Sequence, residues 1–238
     1  MRIFILILLL NSALAASLTV AIPVREASSE HVPRLLVALA AQTLMPQETL
    51  LLLPREMRGQ THQLKRMADQ YKTLNVKIVS TTLDSKVVVL KNETLSRIKT
   101  DVVVYIEPEV LPHRRLLELV ARQNADVLLF RWTPEDYLEH SEFYSEAGLL
   151  LPDEPSGAFF SITKISDFKQ FPQVKFGTAA FKTAVVRSNP WPKEWEMIGN
   201  WQNNEMKYIF SLVEEGKSCL VHPEPLLTIS RPILDDHY

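Results

Sequence analysis

Val102 to Val110 reads VVVYIEPEV, five strand-forming residues that stop at two glutamates flanking a proline. β-branched and aromatic residues in an unbroken apolar run suit a strand covered on both faces, as in the parallel sheet of an α/β fold. Pro108 has no N–H and ends ladder pairing. The segment is therefore either a buried strand that delivers Glu107 and Glu109 to a site, or a strand closed by an acidic turn. On an extended backbone the two carboxylates project to the same side.

Working outward, short β-rich runs alternate with longer helical patterns, the rhythm of strands joined by crossover helices. LTVAIPV (Leu18–Val24), TLLLLP (Thr49–Pro54), NVKIVS (Asn75–Ser80) and ADVLLFRW (Ala125–Trp132) read as the other strands. Between them, apolar spacing predicts helices over Val32–Thr43, Thr61–Leu74 and Leu111–Asn124. Lys86–Thr100 has a β-branched start but apolar positions at Leu90, Leu95 and Ile98, which favours a helix. From Thr133 to Gly177, proline, acids and aromatics point to loops and short elements. Regularity returns at Gly177–Ser188, in a helix from NNEMKYIFSLVEEG that Gly216 caps, and in CLVHPEPLLTIS. No repeat or linker divides the chain.

The chain has 238 residues, 46% of them hydrophobic, which suits one domain with a sizeable core. Lys and Arg number 26 against 28 Asp and Glu, so no basic field is available to grip nucleic acid. Arg2, the apolar run Ile3–Leu10 and Ala13-Leu14-Ala15 have the anatomy of a signal peptide over 1–15, which implies the secretory pathway or secretion. The run is too short for a spanning helix of about 20 residues, so no spanning segment is expected, and a retained anchor is the alternative. Cys219 is the single cysteine, so no intrachain disulfide supports the fold. Six glycines offer no G-x-G-x-x-G or Walker loop, and zinc-ligand, C-x-x-C and G-x-S-x-G patterns are also missing.

In its order of pieces, from about Leu18 to Pro232, the chain resembles the family 2 glycosyltransferases of the GT-A fold. VAIPVREASSEHVPRLLVALAAQT is similar to that family's opening strand and helix, which places Pro23 and Val24 against the nucleotide. TLLLLPREMRGQT stands where the family has V-D-D-G-S, with Pro54-Arg55 in place of the acids and Glu56 as the substitute. KVVVLKNETLSRIKTDVVVYIEPEVLP parallels A-R-N-x-G followed by the D-x-D strand end. That puts Lys91 and Asn92 at the donor, and Glu107 and Glu109 on a divalent metal. GTAAFKTAVV is similar to the segment that opens the acceptor half. NEMKYIFSLVEEGKSCLVHPEPL resembles E-D-x-x-L-x-x-R-x-x-x-x-G followed by a strand and P-E-P. The eleven-residue step back from Gly216 sets Glu205 on the catalytic base, while Ser211 replaces the helix arginine.

The resemblance implies a mostly parallel open sheet with helices on both faces and a less regular acceptor side. A nucleotide-sugar-binding half would cover about 16–132 and an acceptor half about 133–238. It implies inverting transfer from a nucleotide sugar to a hydroxyl of a glycan, lipid or protein, with Mg²⁺ or Mn²⁺. Two carboxylates at a strand end can hold such a cation against a leaving diphosphate. The alternative is a glycosyltransferase-like binding protein without turnover, favoured by the missing V-D-D acids, by a lysine point charge in place of a forked arginine and by the sequon at Asn92, whereas the acids kept at three spaced landmarks favour the enzyme. Trp191, Trp195 and Trp201 are either an acceptor platform or core. His113 and His222 read as surface or capping residues. Asn92-Glu93-Thr94 is a glycosylation sequon that should face solvent, in conflict with a donor-site role for Asn92.

Overall fold

The computed structural model describes residues 16–81, 87–135, 145, 150–192 and 201–229. Helices α1 (Val32–Ala40), α2 (Thr61–Ala68), α3 (Val87–Thr94), α4 (Leu116–Ala121), α5 (Thr183–Ser188) and α6 (Trp201–Glu214) pack on one sheet. Its strands are β1 (Leu18–Pro23), β2 (Glu48–Leu53), β3 (Val76–Ser80), β4 (Val102–Tyr105), β5 (Val110–Pro112), β6 (Val127–Pro134), β7 (Phe160–Ile162), β8 (Val174–Lys182) and β9 (Cys219–Ile229). The order is β3-β2-β1-β4-β8-β6-β9-β5, with β7 on β9.

The first four strands in that order are parallel, and all of β1, β2 and β4 is buried. Alternation sorts their side chains onto two layers. Val20, Ile22, Leu51, Leu53, Val104 and Ile106 face one layer with Leu36 and Leu39 of α1 and Leu117 of α4. Ala21, Leu50, Leu52, Val103 and Tyr105 face the other with Leu90 of α3 and Tyr208, Ile209 and Leu212 of α6. Helices thus cover both faces, as expected. Among the described residues no helix is long and apolar enough to cross a membrane.

Three local outcomes differ from the sequence expectation. Val110–Pro112 is not the start of a helix but a short strand on β9, because the turn at Pro108 returns the chain to the sheet. The sheet is not parallel throughout, since β8 inserts antiparallel between β4 and β6, the strand of ADVLLFRW. The second half of the sheet is therefore mixed. β9 runs through Pro223 and Pro225 as one strand, and its pairing with β6 shifts register on either side of Pro225, as prolines in strands do at irregularities. Gly216 caps α6 at φ 78°, as predicted.

Candidate functional site

Glu107-Pro108-Glu109 proves to be both a strand end and a turn. Ile106 still donates to Ala21 of β1, and Val110 N–H then donates to the Glu107 carbonyl at 3.0 Å. Pro108, with φ preset, suits the second position of such a turn. The two glutamates are therefore first and third residues of a turn, not neighbours on one side of an extended segment. The β4–β8 register sets Ala179 opposite Tyr105, so the chain beyond it flanks Glu107. Glu107 N–H donates to Thr178 Oγ1 at 3.3 Å, and Lys175 Nζ lies 2.7 Å from Glu107 Oε2. Burial pushes the Glu107 carboxyl above its usual range, Lys175 opposes this, and the charge of Glu109 adds to it. Glu109 is itself 3.6 Å from Arg25, just past β1.

Behind this turn, α3 and α6 meet. Lys91 Nζ lies 2.6 Å from Glu205 Oε1, and the Trp191 indole N–H donates to Glu205 Oε2 at 3.1 Å. Lys91 and Glu205 side chains are each 1% exposed, so the pair is sealed from solvent. The ammonium also sits 4.7 Å from the Tyr105 ring centroid and 5.2 Å from that of Trp191. Burial, then the charge of Glu205, drives the Tyr105 and Tyr208 phenols well above their ordinary range. A buried ion pair with its other lone pairs satisfied is tolerable, whereas one charge without the other is not.

Asn92 clips the same region together. Its amide donates to the Trp191 carbonyl at 2.8 Å and its oxygen accepts from Trp191 N–H at 3.0 Å. With both ends engaged, Asn92 is not a solvent-facing sequon, and the conflict resolves in favour of the interior. Trp191 is core, 1% exposed against Tyr105, Phe181 and Tyr208, and is not a platform. Trp195 and the side chain of Trp201 lie outside the described residues. Pro23 and Val24 end β1, and the Val24 N–H donates to Leu52. Glu56 is exposed on the 3₁₀ turn Arg55–Gln60 that follows β2. His113 and His222 are buried rather than on the surface, though each ring nitrogen does cap a local backbone N–H, of Arg115 and Glu224.

The structure therefore brings Lys91, Asn92, Glu107 and Glu205 together beyond the carboxyl ends of β1 and β4, where open α/β sheets bind ligands. Glu205, Glu107 and Glu109 each already have a basic partner in Lys91, Lys175 and Arg25. Among the described residues no three carboxylate, histidine or cysteine side chains converge as metal ligands. Lys175 and Arg25 flank Glu107 and Glu109, yet Glu107 Oε1 and Glu109 Oε2 are buried without a hydrogen-bond partner, so the two carboxylates keep oxygens that a divalent cation could take. Sequence reasoning missed Arg25 and Lys175. Arg25 directly follows the stretch assigned to the nucleotide, but Lys175 depends on the antiparallel insertion of β8, which nothing local in the sequence announces.

No protein-family model and no curated protein sequence matches the chain. Solved structures do. A mannosyltransferase from Pyrobaculum calidifontis, PcManGT, in complex with GDP-Man and Mn²⁺ superposes with TM-score 0.64 at 15% identity, over 93% of this chain and 59% of that one. TarS 1–349 from S. aureus in complex with UDP-GlcNAc gives 0.60 at 16%, over 91% and 59%. The chain thus spans about three-fifths of the structures it resembles.

Proposed function

From a GT-A-type glycosyltransferase fold, with its mixed, largely parallel sheet covered on both faces, we propose that the protein binds a nucleotide-sugar donor and transfers the sugar to a hydroxyl acceptor with inversion. The observation that carries this reading is the meeting of Lys91 and Glu205, 114 residues apart, behind the Glu107 turn at the donor end of the sheet. The reading assigns the donor to residues from about 16 to 132 and the acceptor to those from about 133 to 238. The leader over 1–15 directs the chain to the secretory route, which mass spectrometry of the secreted protein checks: a chain beginning at Met1 would reject cleavage.

In the proposed reaction Glu205 takes the proton of the acceptor hydroxyl while its oxygen attacks the anomeric carbon. The bond from that carbon to the diphosphate oxygen breaks on the opposite face, and the nucleoside diphosphate leaves with the electron pair. Because the Lys91–Glu205 pair is sealed, this scheme requires the site to open on donor binding, so that the diphosphate draws the Lys91 ammonium and Glu205 is freed as the base. The scheme neutralises the diphosphate with protein cations; a divalent cation, where one takes part, would be held by Glu107 and Glu109, whose Oε1 and Oε2 respectively are buried without a hydrogen-bond partner.

The test is release of nucleoside diphosphate from UDP- and GDP-sugars in the presence of hydroxyl acceptors. Glu205→Gln removes the base and also leaves the Lys91 charge buried alone, so release falls by about 10²–10⁴-fold and the variant melts lower, which a melting curve run beside the nucleotide-binding measurement separates from loss of the base. Wild-type rates in the glutamine variant would sink the assignment. A second reading, a glycosyltransferase-like binding protein without turnover, is favoured by the charge balance itself: with every acid paired, the described site presents no net charge to a diphosphate. Binding without release from any donor decides for it.

A further inference from the structure

Trp191 reaches Glu205 from a segment, Asn189-Pro190-Trp191, that follows α5 and is tied at one end to α6 and at the other to α3. The Tyr208 hydroxyl donates to the Asn189 carbonyl from α6. Asn92 of α3 holds the main chain of Trp191, giving to its carbonyl at 2.8 Å and taking from its N–H at 3.0 Å. The ring is fixed as well: it stacks on Tyr208 with centroids 4.6 Å apart and stands edge-to-face with Tyr105 and Phe181 at 5.3 and 5.6 Å. Tyr208 lies three residues after Glu205, on the same face of α6. The helix that carries Glu205 therefore also seats the ring whose N–H reaches it.

The two oxygens of Glu205 are held differently. Oε1 takes the Lys91 ammonium at 2.6 Å, a group on a flexible four-carbon stem. Oε2 takes the Trp191 indole N–H at 3.1 Å, from a ring with three aromatic neighbours and a clamped main chain. A close-packed ring cannot turn without displacing its neighbours, whereas a lysine stem swings by changing rotamers. Opening of the site thus moves the lysine and leaves the tryptophan in place. With Oε2 fixed by one N–H, the oxygen that Lys91 gives up, Oε1, is the one free to receive a proton.

We infer that Trp191 is the positioning residue of the proposed reaction, held for that task by Asn92, and that Oε1 is the oxygen of Glu205 that acts as base. The inference rests on the transferase reading. The acceptor O–H bond breaks and its proton passes to Oε1, the acceptor oxygen bonds to the anomeric carbon, and the diphosphate leaves with the electron pair of the bond it loses. The Trp191 N–H stays on Oε2 throughout and neither gives nor takes a proton. Asn92, with both ends of its amide spent on Trp191, serves the base and not the donor.

Two variants and two readouts test this, on the full chain well below its melting temperature. Trp191→Phe keeps an aromatic ring beside Tyr208 but has no N–H, and Asn92→Ala frees the main chain of Trp191. In both, kcat for release of nucleoside diphosphate should fall by about 10–100-fold with donor KM unchanged, as for a reacting group displaced by about 1 Å. Loss of packing alone lowers the melting temperature but leaves kcat per folded molecule at the wild-type value, and that result overturns the positioning role. The second readout needs no turnover. In protein labelled at the tryptophan indole nitrogens, the NMR signal that vanishes in Trp191→Phe should move in Glu205→Gln and stay protected from deuterium exchange when UDP or GDP is added. A signal indifferent to Glu205→Gln, or lost to exchange once nucleotide binds, overturns the hold on Oε2. Wild-type protein that shows the protected signal but releases no diphosphate from any donor overturns the transferase reading and the role with it, whereas active wild type beside equally active variants removes the role alone.

Discussion

Lys91 and Glu205 were each legible in the sequence as chemistry-bearing residues, but not as partners. The spacing from Gly216 marked Glu205, and the position before Asn92 marked Lys91, yet no local pattern says that two helices 114 residues apart share a charge pair. At 1% exposure the pair contributes little net stability, because desolvation offsets its attraction, whereas removing one partner leaves the other charge buried alone. Lys91→Met should therefore cost about 3–5 kcal/mol by urea unfolding. The double variant Lys91→Met/Glu205→Leu should recover most of that loss, since no charge is left behind. A Lys91→Met protein as stable as the wild type would mean that the pair is not formed.

Among the elements, strands and helices with one dominant period were readable: β1, β2, β4, α1 and the Gly216-capped α6 stand where their patterns put them. Elements whose role is set by distant partners were not. β8 begins upstream of the apolar run that announced it, and its antiparallel placement supplies Lys175. Glu-Pro-Glu could be read either as a strand end or as a turn, and only the contact of Val110 with Glu107 shows that it is both. β9 adds a pH dependence. Burial lowers the pKa of His222, whose side chain is fully covered, and the nearby His113 ring is lowered by burial as well. Their folded pKa values lie below the unfolded value of about 6.5, so between the two the unfolded chain holds more protons. Stability should then rise with pH through this window and be lower once pH falls below it. The slope in urea midpoint against pH should shrink in His222→Gln; an unchanged slope would remove His222 as its source.

At the scale of the whole molecule, the GT-A-type architecture follows from apolar strands that alternate with helices, and this much the order of elements carried although the similar solved structures are only 15–16% identical. What it did not carry is the arrangement at the Glu107 turn, which depends on side chains from the segment after β1, α3, the turn itself, β8 and α6 meeting in space. Glu107, Glu109 and Glu205 are each paired with a base from another element, so the diphosphate of the proposed donor would have to exchange partners with them. Arg25, 34% exposed at its edge, is the cation most open to such an exchange. Arg25→Gln should weaken nucleotide binding by about tenfold with little change in stability, because exposed ion pairs contribute about 0–1 kcal/mol. The most direct measurement is calorimetric titration of the chain with UDP and GDP, with and without Mn²⁺. Saturable binding of one of them, retained without the metal and weakened in Arg25→Gln, is the predicted result; no binding heat for either nucleotide under both conditions would contradict the account.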